Sequence, residues 1–201
     1  LIVIGGGPAG YMGALRAGDE GLKTLLVEKR AVGGVCLNEG CIPSKTLLYS
    51  AKICDYARFS EKYGVKAENV SFDHKKVVGR KNKVVRTLVS GIKSQLRANK
   101  VELIEGTGTI EGKNDEGYLV RAGEQVYTGK RLLIAAGSAP MIPPIPGIDE
   151  GINNGYVLTN REILDLDSIP ESLVIVGGGV IGLEMASYFN SAGSRVTVIE
   201  M

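Results

Sequence analysis

Short apolar runs and amphipathic stretches alternate along this chain, and their order is typical of a βαβ architecture. An apolar run at 1–4 passes into the loop Gly5-Gly6-Gly7-Pro8-Ala9-Gly10, after which a helical stretch continues to about Glu20. A second apolar run, at 24–27, ends in Glu28. We therefore predict a strand, a glycine loop, a helix and a second strand at the start of the chain.

The same order of elements returns near the end of the chain. A shift of 172 residues places the first loop on Gly177-Gly178-Gly179-Val180-Ile181-Gly182 and Glu28 on Glu200, without a gap. An apolar run at 173–176 precedes this second loop. The pattern therefore predicts two nucleotide-binding βαβ units, and we expect the second unit to be truncated because the sequence stops one residue later.

Between these units the periodicity changes from helical to strand-like. Apolar residues at helical spacing predict one helix over about 46–59 and a long one from about Asp73 to Asn99. Glycines separate the apolar runs that follow, which predicts short strands joined by turns. These strands are expected at 101–105, 118–121, 125–128 and 132–134.

A cluster of prolines separates these strands from the second unit. Four of the seven prolines lie within 140–146, where their fixed φ is incompatible with a helix or a central strand. We therefore place the domain boundary here, with one domain at 1–145 and a linker plus an incomplete second domain at 146–201. Thr159 and Glu162 have the spacing of a capping box, which predicts a short helix.

Composition and charge narrow the function classes. The 201 residues are 44% hydrophobic and 23% charged, as in ordinary globular proteins, and no apolar run approaches the roughly 18 residues of a membrane span. No signal peptide is apparent, so we expect a cytoplasmic protein. The net charge of +2 gives no general attraction to nucleic acid or membranes, and neither is expected as a partner.

One local concentration of charge departs from this average. Nine Lys or Arg residues and no acid lie from Lys75 to Lys100, and we interpret them as the solvated face of the long helix, balanced by acids elsewhere. A surface for nucleic acid or an acidic partner is the alternative, which the scarcity of aromatic residues disfavours. His74, the single histidine, begins this helix and is expected at the surface or in a capping role.

The two glycine loops predict dinucleotide sites. In the first, Gly5 permits the tight turn, Gly7 lets the backbone approach a pyrophosphate, and Gly10 lets helix and strand pack closely. The helix start offers N–H groups to phosphates, and Glu28 is placed to accept hydrogen bonds from an adenosine ribose. In the second loop, Glu200 favours a free ribose 2′-hydroxyl, which indicates NAD rather than NADP.

Cys36 and Cys41 lie between glycine turns, and we interpret them as a redox-active dithiol. Residues five apart in a regular helix are about 7.5 Å apart along its axis, whereas a disulfide needs Cα atoms within about 6.8 Å. A distorted turn is therefore expected here. Pro43 suits the first turn of a following helix whose N-terminus would stabilise a Cys41 thiolate, and Lys45 adds positive charge.

The number and position of the cysteines also bear on metal binding and on burial. A zinc site is not expected, because a single histidine and no second cysteine pair are available to complete four ligands. Cys54 lies on the helix predicted over 46–59, and we expect it to be a small buried hydrophobic residue.

The segment Cys36-Leu37-Asn38-Glu39-Gly40-Cys41-Ile42-Pro43-Ser44-Lys45 resembles the signature of the FAD-dependent pyridine nucleotide-disulfide oxidoreductases. The first loop with Glu28 is similar to that family's FAD loop, and the second with Glu200 to its NAD loop. Ala135-Ala136-Gly137-Ser138-Ala139-Pro140 resembles the segment that closes the FAD domain, although many members have Thr at the place of Ala136. The resemblance implies an α/β, FAD/NAD(P)-binding Rossmann-like fold whose second βαβ unit is truncated.

The resemblance assigns roles by position. Cys36 corresponds to the thiol that exchanges with the substrate, Cys41 to the thiol beside the flavin, and Lys45 to a lysine near the flavin's reactive nitrogen. The residues implied to bind FAD are Gly5, Gly7, Pro8, Ala9, Gly10, Glu28, Lys29, Gly33, Gly34, Val35, Cys36, Cys41, Lys45, Gly108, Ala136, Gly137 and Ser138. The residues implied to bind NAD are Gly177, Gly179, Val180, Ile181, Gly182 and Glu200.

The flanks of the cysteines most resemble the family members that oxidise dihydrolipoyl groups with NAD⁺. The resemblance then implies, as partners, the lipoyl groups of a 2-oxo acid dehydrogenase or glycine cleavage complex. It also implies a homodimer in which a C-terminal domain supplies a catalytic His and Glu, so residues 1–201 alone are expected to be inactive. The alternatives are a mercuric or glutathione-type reductase and, in a different class, a non-enzymatic FAD-binding electron carrier.

Overall fold

A computed structural model describes residues 1–200 of the chain. They form two compact units, and each unit is built from two separate segments of the chain. The first unit consists of 1–38 with 85–139, and the second of 39–84 with 140–200. The domain boundary placed at the proline cluster rests on linker composition, and it stays a prediction.

The regular elements follow the predicted alternation. The helices are α1 (Pro8–Asp19), α2 (Gly34–Asn38), α3 (Cys41–Arg58), α4 (His74–Ala98), α5 (Ile148–Asn153) and α6 (Val180–Ala192). The strands are β1 (Ile2–Ile4), β2 (Thr24–Glu28), β3 (Val101–Glu105), β4 (Gly108–Asn114), β5 (Gly117–Ala122), β6 (Gln125–Gly129), β7 (Leu132–Ile134), β8 (Ser172–Val176) and β9 (Arg195–Ile199). Single 3₁₀ helices lie at Ser60–Tyr63 and Glu162–Asp165.

The first unit is built on a parallel sheet with the strand order β3-β2-β1-β7. In the middle of the sheet, Val3 of β1 is aligned with Leu26 of β2 on one side and with Leu133 of β7 on the other. Val3 and Leu26 are fully buried together with Ala14 of α1, so this helix packs on the sheet. The strand order is that of a Rossmann-type dinucleotide-binding half, which confirms the predicted α/β class.

An antiparallel sheet of β4, β5 and β6 also belongs to the first unit. β5 and β6 match two of the predicted strands, but β4 has no counterpart among them. Every residue of β4 after Gly108 is exposed, and a bulge between Ile110 and Gly112 shifts its register. No alternating apolar face therefore marks β4 in the sequence, and its pairing with β5 determines its conformation.

The second unit is organised around Tyr188 and Phe189 of α6. Both side chains are fully buried, and their rings meet edge to face with centroids 5.0 Å apart. Leu47 of α3 packs in the same core, as do Ile163 and Leu164 of the second 3₁₀ helix. This core holds α3, α6 and the 3₁₀ helix together, and β8 and β9 form a parallel pair beside α6.

His74 lies inside this core, so the surface or capping role predicted for it is wrong. Its ring Nδ1 lies 2.8 Å from the Tyr188 hydroxyl, and its Nε2 lies 2.8 Å from the Leu166 carbonyl oxygen. Because a carbonyl can only accept, Nε2 carries the proton and Tyr188 donates to Nδ1. Burial raises the pKa of Tyr188. Asp73 caps the helix instead, accepting a hydrogen bond from the Lys76 N–H at 3.0 Å.

The cations of α4 lie mainly at the surface, as predicted. Lys81 is an exception, because its side chain is 3% exposed and forms an ion pair with Asp165. Within residues 1–200, no helix combines the length and the apolar composition that crossing a lipid bilayer requires.

Candidate dinucleotide and dithiol sites

The first glycine loop turns sharply between β1 and α1. Gly5 has φ +100°, a conformation that other residues rarely adopt. A Cβ at Gly10 would lie 1.7 Å from the Gly5 carbonyl oxygen, and one at Gly5 would lie 2.1 Å from the carbonyl oxygen of Ala135, the residue after β7. The loop is therefore packed between the start of α1 and the end of β7 with no space for side chains.

Glu28 lies beside this loop at the end of β2. Its Oε2 accepts a hydrogen bond from the Gly6 N–H at 2.6 Å, and its Oε1 accepts one at 2.7 Å from the N–H two residues further on. Gly33 donates to the Gly6 carbonyl at 2.7 Å, which brings the start of α2 to the loop. A Cβ at Gly108 would contact side chains of β1 and β2 at 3.4 Å, so Gly108 lies at the same edge of the sheet.

The second loop repeats this geometry at the predicted shift. The Gly177 N–H donates to the Ile199 carbonyl at 2.8 Å, the counterpart of a bond of the same length in the first loop. The Gly178 N–H donates to the Glu200 carboxylate, as its counterpart donates to Glu28. A Cβ at Gly182 would lie 2.3 Å from the Gly177 carbonyl oxygen. The unit β8-α6-β9 therefore has the backbone geometry of β1-α1-β2.

Both loops have the space and the donors that a pyrophosphate needs. No side chain caps α1 or α6 at their N-cap residues, Gly7 and Gly179, and neither first turn contains an acid. Among the described residues, a Cβ at Gly7 would have one neighbour, the Gly34 Cα at 3.8 Å, and one at Gly179 would have none within 4 Å. With Glu28 and Glu200 beside them, these loops fit the dinucleotides FAD and NAD respectively.

The dithiol segment consists of two helices interrupted at Glu39 and Gly40, in keeping with the predicted distorted turn. Half-buried Cys36 lies in α2, where the Asn38 side chain donates to two backbone carbonyls at 3.1 and 2.9 Å. Cys41 is exposed and is the first residue of α3. The prediction that Cys41 occupies a helix N-terminus is therefore confirmed.

Lys45, one turn after Cys41, forms an ion pair with Glu184 of α6. The Lys45 side chain is 60% exposed and that of Glu184 is 21% exposed, so the acid holds the cation at a position open to solvent. The sequence interpretation did not include Glu184, which lies 139 residues from Lys45. Glu184 is the sole charged residue of α6 and follows the second glycine loop, a signal that could have revealed it.

A further group of contacts surrounds Glu39, between the two cysteines, and the sequence interpretation missed it. Arg161 Nε lies 2.7 Å from Glu39 Oε2, and the Asn160 side chain donates to the Glu39 carbonyl at 2.9 Å. The buried Arg161 Nε has no aligned hydrogen-bond acceptor among the described residues, so its contact with Glu39 is an ion pair. Asn160 and Glu39 are 121 residues apart, and hydrophobic periodicity carries no information about contacts over such a distance.

Thr159 and Glu162 are hydrogen-bonded to each other, as their capping-box spacing predicts, but the N-cap residue of the 3₁₀ helix is Arg161, and no side chain caps it. Glu162 Oε2 accepts hydrogen bonds from the Thr159 hydroxyl at 2.6 Å and from the Thr159 N–H at 2.8 Å. The Thr159 hydroxyl oxygen accepts from the Arg161 N–H at 3.2 Å. The short helix that begins here is a single 3₁₀ turn. The box thereby fixes the backbone that carries Asn160 and Arg161.

The remaining predicted cofactor residues are exposed, and their contacts with cofactors stay predictions. They are Pro8, Ala9, Lys29, Val35, Ala136, Gly137, Ser138, Val180 and Ile181. Cys54 is 7% exposed, which confirms its predicted place in the core.

Comparison with known proteins defines the class. Residues 1–201 match the family model of the pyridine nucleotide-disulphide oxidoreductases, and the chain belongs to this family. Members of the family use FAD and NAD. The family resemblance stated from the cysteine segment and the two glycine loops is thus confirmed.

Individual relatives are named dihydrolipoyl dehydrogenase. The chain is 48% identical to that of Acholeplasma laidlawii, over all of this chain and 59% of the relative, and 43% identical to that of Mycoplasma genitalium, over all of this chain and 43% of the relative. A solved structure, the HOCl-induced flavoprotein disulfide reductase RclA from Escherichia coli, is similar with a TM-score of 0.80 and 30% identity. That match covers 99% of this chain and 41% of RclA. The chain therefore spans about half the length of these proteins.

Replacing Gly10 by Ala tests the packing of the first loop. The added Cβ would overlap the Gly5 carbonyl oxygen, so we expect Gly10→Ala to lower the free energy of unfolding by about 2 kcal/mol or more. The matched control is Gly91→Ala in α4, where the Cβ meets nothing within 4 Å and the change should stabilise the helix by up to about 1 kcal/mol. Urea unfolding measures both. Equal stability of Gly10→Ala and the unmodified protein would contradict the observed packing.

The capping box predicts a dependence of stability on pH. The hydrogen bond from the Thr159 hydroxyl holds the pKa of Glu162 below its usual value of 4.5. The folded-state pKa is thus below the unfolded one, so the stabilisation is complete above the unfolded pKa and is lost as the pH falls through the folded one. We expect Glu162→Gln to cost up to about 1 kcal/mol at pH 7 and progressively less below pH 4.5.

Thermal unfolding of Glu162→Gln at a series of pH values measures this effect. Glu171→Gln is the control, because Glu171 has a side chain that is 93% exposed and contacts Arg195 at 3.9 Å. A stability loss in Glu162→Gln that stays constant from pH 7 to pH 3 would show that the carboxylate charge is irrelevant.

Proposed function

We propose that the protein containing this chain is a flavin-dependent disulfide oxidoreductase that oxidises dihydrolipoyl groups with NAD⁺. The observation that carries the proposal is the position of Cys41 at the start of α3, in a chain with two dinucleotide loops of the same backbone geometry. Relatives named dihydrolipoyl dehydrogenase that match the whole chain support a lipoyl substrate.

In the proposed reaction, the substrate reduces a disulfide between Cys36 and Cys41. One substrate thiolate attacks the Cys36 sulfur, which breaks the S–S bond and leaves Cys41 as a thiolate. The second substrate thiol then attacks the mixed disulfide and releases Cys36 together with the cyclic disulfide product. Two electrons pass to the protein, and two protons leave the substrate. FAD bound at the first glycine loop would supply the acceptor for these two electrons, and NAD⁺ bound at the second would supply the final oxidant.

The residues of this chain supply charge and position for that exchange. Cys41 lies in the first turn of α3, where backbone N–H groups have no partners within the helix. The Lys45 ammonium, paired with Glu184, adds a positive charge one turn along α3. His74 is not proposed as the base, because both of its ring nitrogens are engaged inside the core.

The substrate assay compares dihydrolipoamide with the alternatives. With the purified full-length protein that contains this chain, NAD⁺ and FAD, we expect NADH formation from dihydrolipoamide and no comparable turnover of mercuric ion or glutathione disulfide with NADH; residues 1–201 alone should show no turnover. Cys36→Ser and Cys41→Ser should each lower the rate by more than about 100-fold, because each removes an atom of the reacting disulfide. Cys54→Ala, outside the dithiol, is the control.

The outcomes of this assay separate the candidate functions. Faster turnover of mercuric ion or glutathione disulfide would favour the corresponding reductase. FAD binding without thiol titration on two-electron reduction would favour a non-enzymatic electron carrier. Either result would overturn the lipoyl proposal.

The second loop predicts the nicotinamide cofactor. Glu200 accepts a backbone hydrogen bond from Gly178 and lies where a ribose would bind, so a 2′-phosphate would meet its negative charge. We expect kcat/KM to be at least about tenfold higher with NAD⁺ than with NADP⁺, a preference that Glu200→Ala should reduce. Equal use of both cofactors by the unmodified protein would contradict this assignment.

The remaining expectations belong to the same proposal. We propose association with lipoyl groups of a 2-oxo acid dehydrogenase or glycine cleavage complex, a homodimeric assembly and a cytoplasmic location. The relatives' names support the lipoyl partner.

A further inference from the structure

We infer that Asn160 and Arg161 are positioning residues that hold the Cys41 end of the dithiol loop through Glu39. The inference rests on the proposed function, because it assumes that Cys36 and Cys41 form a disulfide during turnover. All of the contacts that carry it lie within the second unit.

The linking segment between α2 and α3 has one side chain by which it can be held. α2 ends at Asn38 and α3 begins at Cys41, so the segment consists of Glu39 and Gly40. Gly40 has φ −147° and ψ −113°, outside the helical and strand regions, and offers no side chain. A side-chain contact that fixes this segment must therefore involve Glu39.

Glu39 is held at two places, by its side chain and by its backbone. Arg161 Nε lies 2.7 Å from the carboxylate, and Asn160 Nδ2 donates to the carbonyl at 2.9 Å. The Glu39 side chain is 17% exposed and that of Arg161 is 32% exposed, so solvent screens this pair less than a surface ion pair. We refer to these two contacts on Glu39 as the Glu39 clamp.

The Glu39 clamp has a rigid base. The capping box of Thr159 and Glu162 fixes the backbone of Asn160 and Arg161. The 3₁₀ helix that follows buries Ile163 and Leu164 in the same core as Leu47 of α3. The core thus anchors both the residues that hold Glu39 and the helix that begins at Cys41.

This arrangement affects the equilibrium between the Cys36–Cys41 disulfide and the dithiol. Closing a disulfide restricts the chain that joins the two sulfurs, and the entropic cost is smaller when part of that chain is already fixed. If the Glu39 clamp is retained when the S–S bond forms, it favours the disulfide over the dithiol. A contact with a merely structural role would stabilise the fold and leave this equilibrium unchanged.

The test is the equilibrium of the protein with dithiothreitol, followed by thiol labelling and mass spectrometry of the peptide that contains both cysteines. In this exchange the protein S–S bond breaks, dithiothreitol closes to its cyclic disulfide, and its two protons pass to the protein thiols. Arg161→Ala and Glu39→Gln should each shift the equilibrium towards the dithiol by about fivefold. The double variant should shift it no further, because both changes break the same pair.

Matched variants distinguish a positioning role of Asn160 and Arg161 in the dithiol equilibrium from a general effect on the stability of the fold. Arg195→Ala removes an arginine of the same unit that pairs with an exposed Glu171 at 3.9 Å, and it should leave the equilibrium unchanged. Arg161→Lys should recover most of the shift, because the contact with Glu39 is an ion pair without an aligned hydrogen bond. Asn160→Ala should shift the equilibrium in the same direction as Arg161→Ala. Melting temperatures are measured for every variant.

Each outcome decides one proposal. A lowered melting temperature with an unchanged dithiothreitol equilibrium in Arg161→Ala, Glu39→Gln and Asn160→Ala would overturn the positioning role. Absence of a Cys36–Cys41 disulfide in the unmodified protein would instead overturn the proposed function. If Arg161→Ala does not fold, Glu39→Gln and Asn160→Ala still decide the question, because an equilibrium within twofold of the unmodified protein in both would contradict the inference.

Discussion

The close contact between the start of α1 and the carbonyl of Gly5 is the constraint on which the first unit depends. A Cβ at Gly10 would lie 1.7 Å from that oxygen, so α1 can pack this closely against the loop only because Gly10 has no side chain. The turn directs the N–H groups of α1 towards the edge of the sheet, and Glu28 binds back to Gly6 at 2.6 Å. Backbone N–H groups and a carboxylate therefore lie together at one edge of the sheet, and these are the groups that a dinucleotide site requires.

The second unit solves a different physical problem, which is to place polar groups in a small core without leaving them unsatisfied. Tyr188 donates to His74, and His74 donates to the Leu166 carbonyl, so both ring nitrogens have partners. Lys81 is buried beside Asp165 for the same reason. With its core satisfied in this way, the unit presents Cys41 and Lys45 at its surface on a fixed helix.

Local pattern determined much of the fold and of the candidate site. The glycine loops, their terminal acids Glu28 and Glu200 and the break between Cys36 and Cys41 follow from neighbouring residues, and the structure has them as predicted. The repeat at a shift of 172 residues extends to individual backbone hydrogen bonds. Backbone conformation depends mainly on nearby residues, so such features can be predicted from the local sequence. β4 is the exception, because its exposed residues carry no apolar alternation and pairing alone defines it.

The tertiary structure alone decided which distant side chains meet. His74 and Tyr188 are 114 residues apart, Lys45 and Glu184 are 139 apart, and Asn160 lies 121 residues from Glu39. Such pairs depend on how buried faces of helices pack, and neither periodicity nor spacing encodes that. A polar residue at a helix start, such as His74, is compatible with a surface cap or with a core position. Only the packing of α6 against it selects the core.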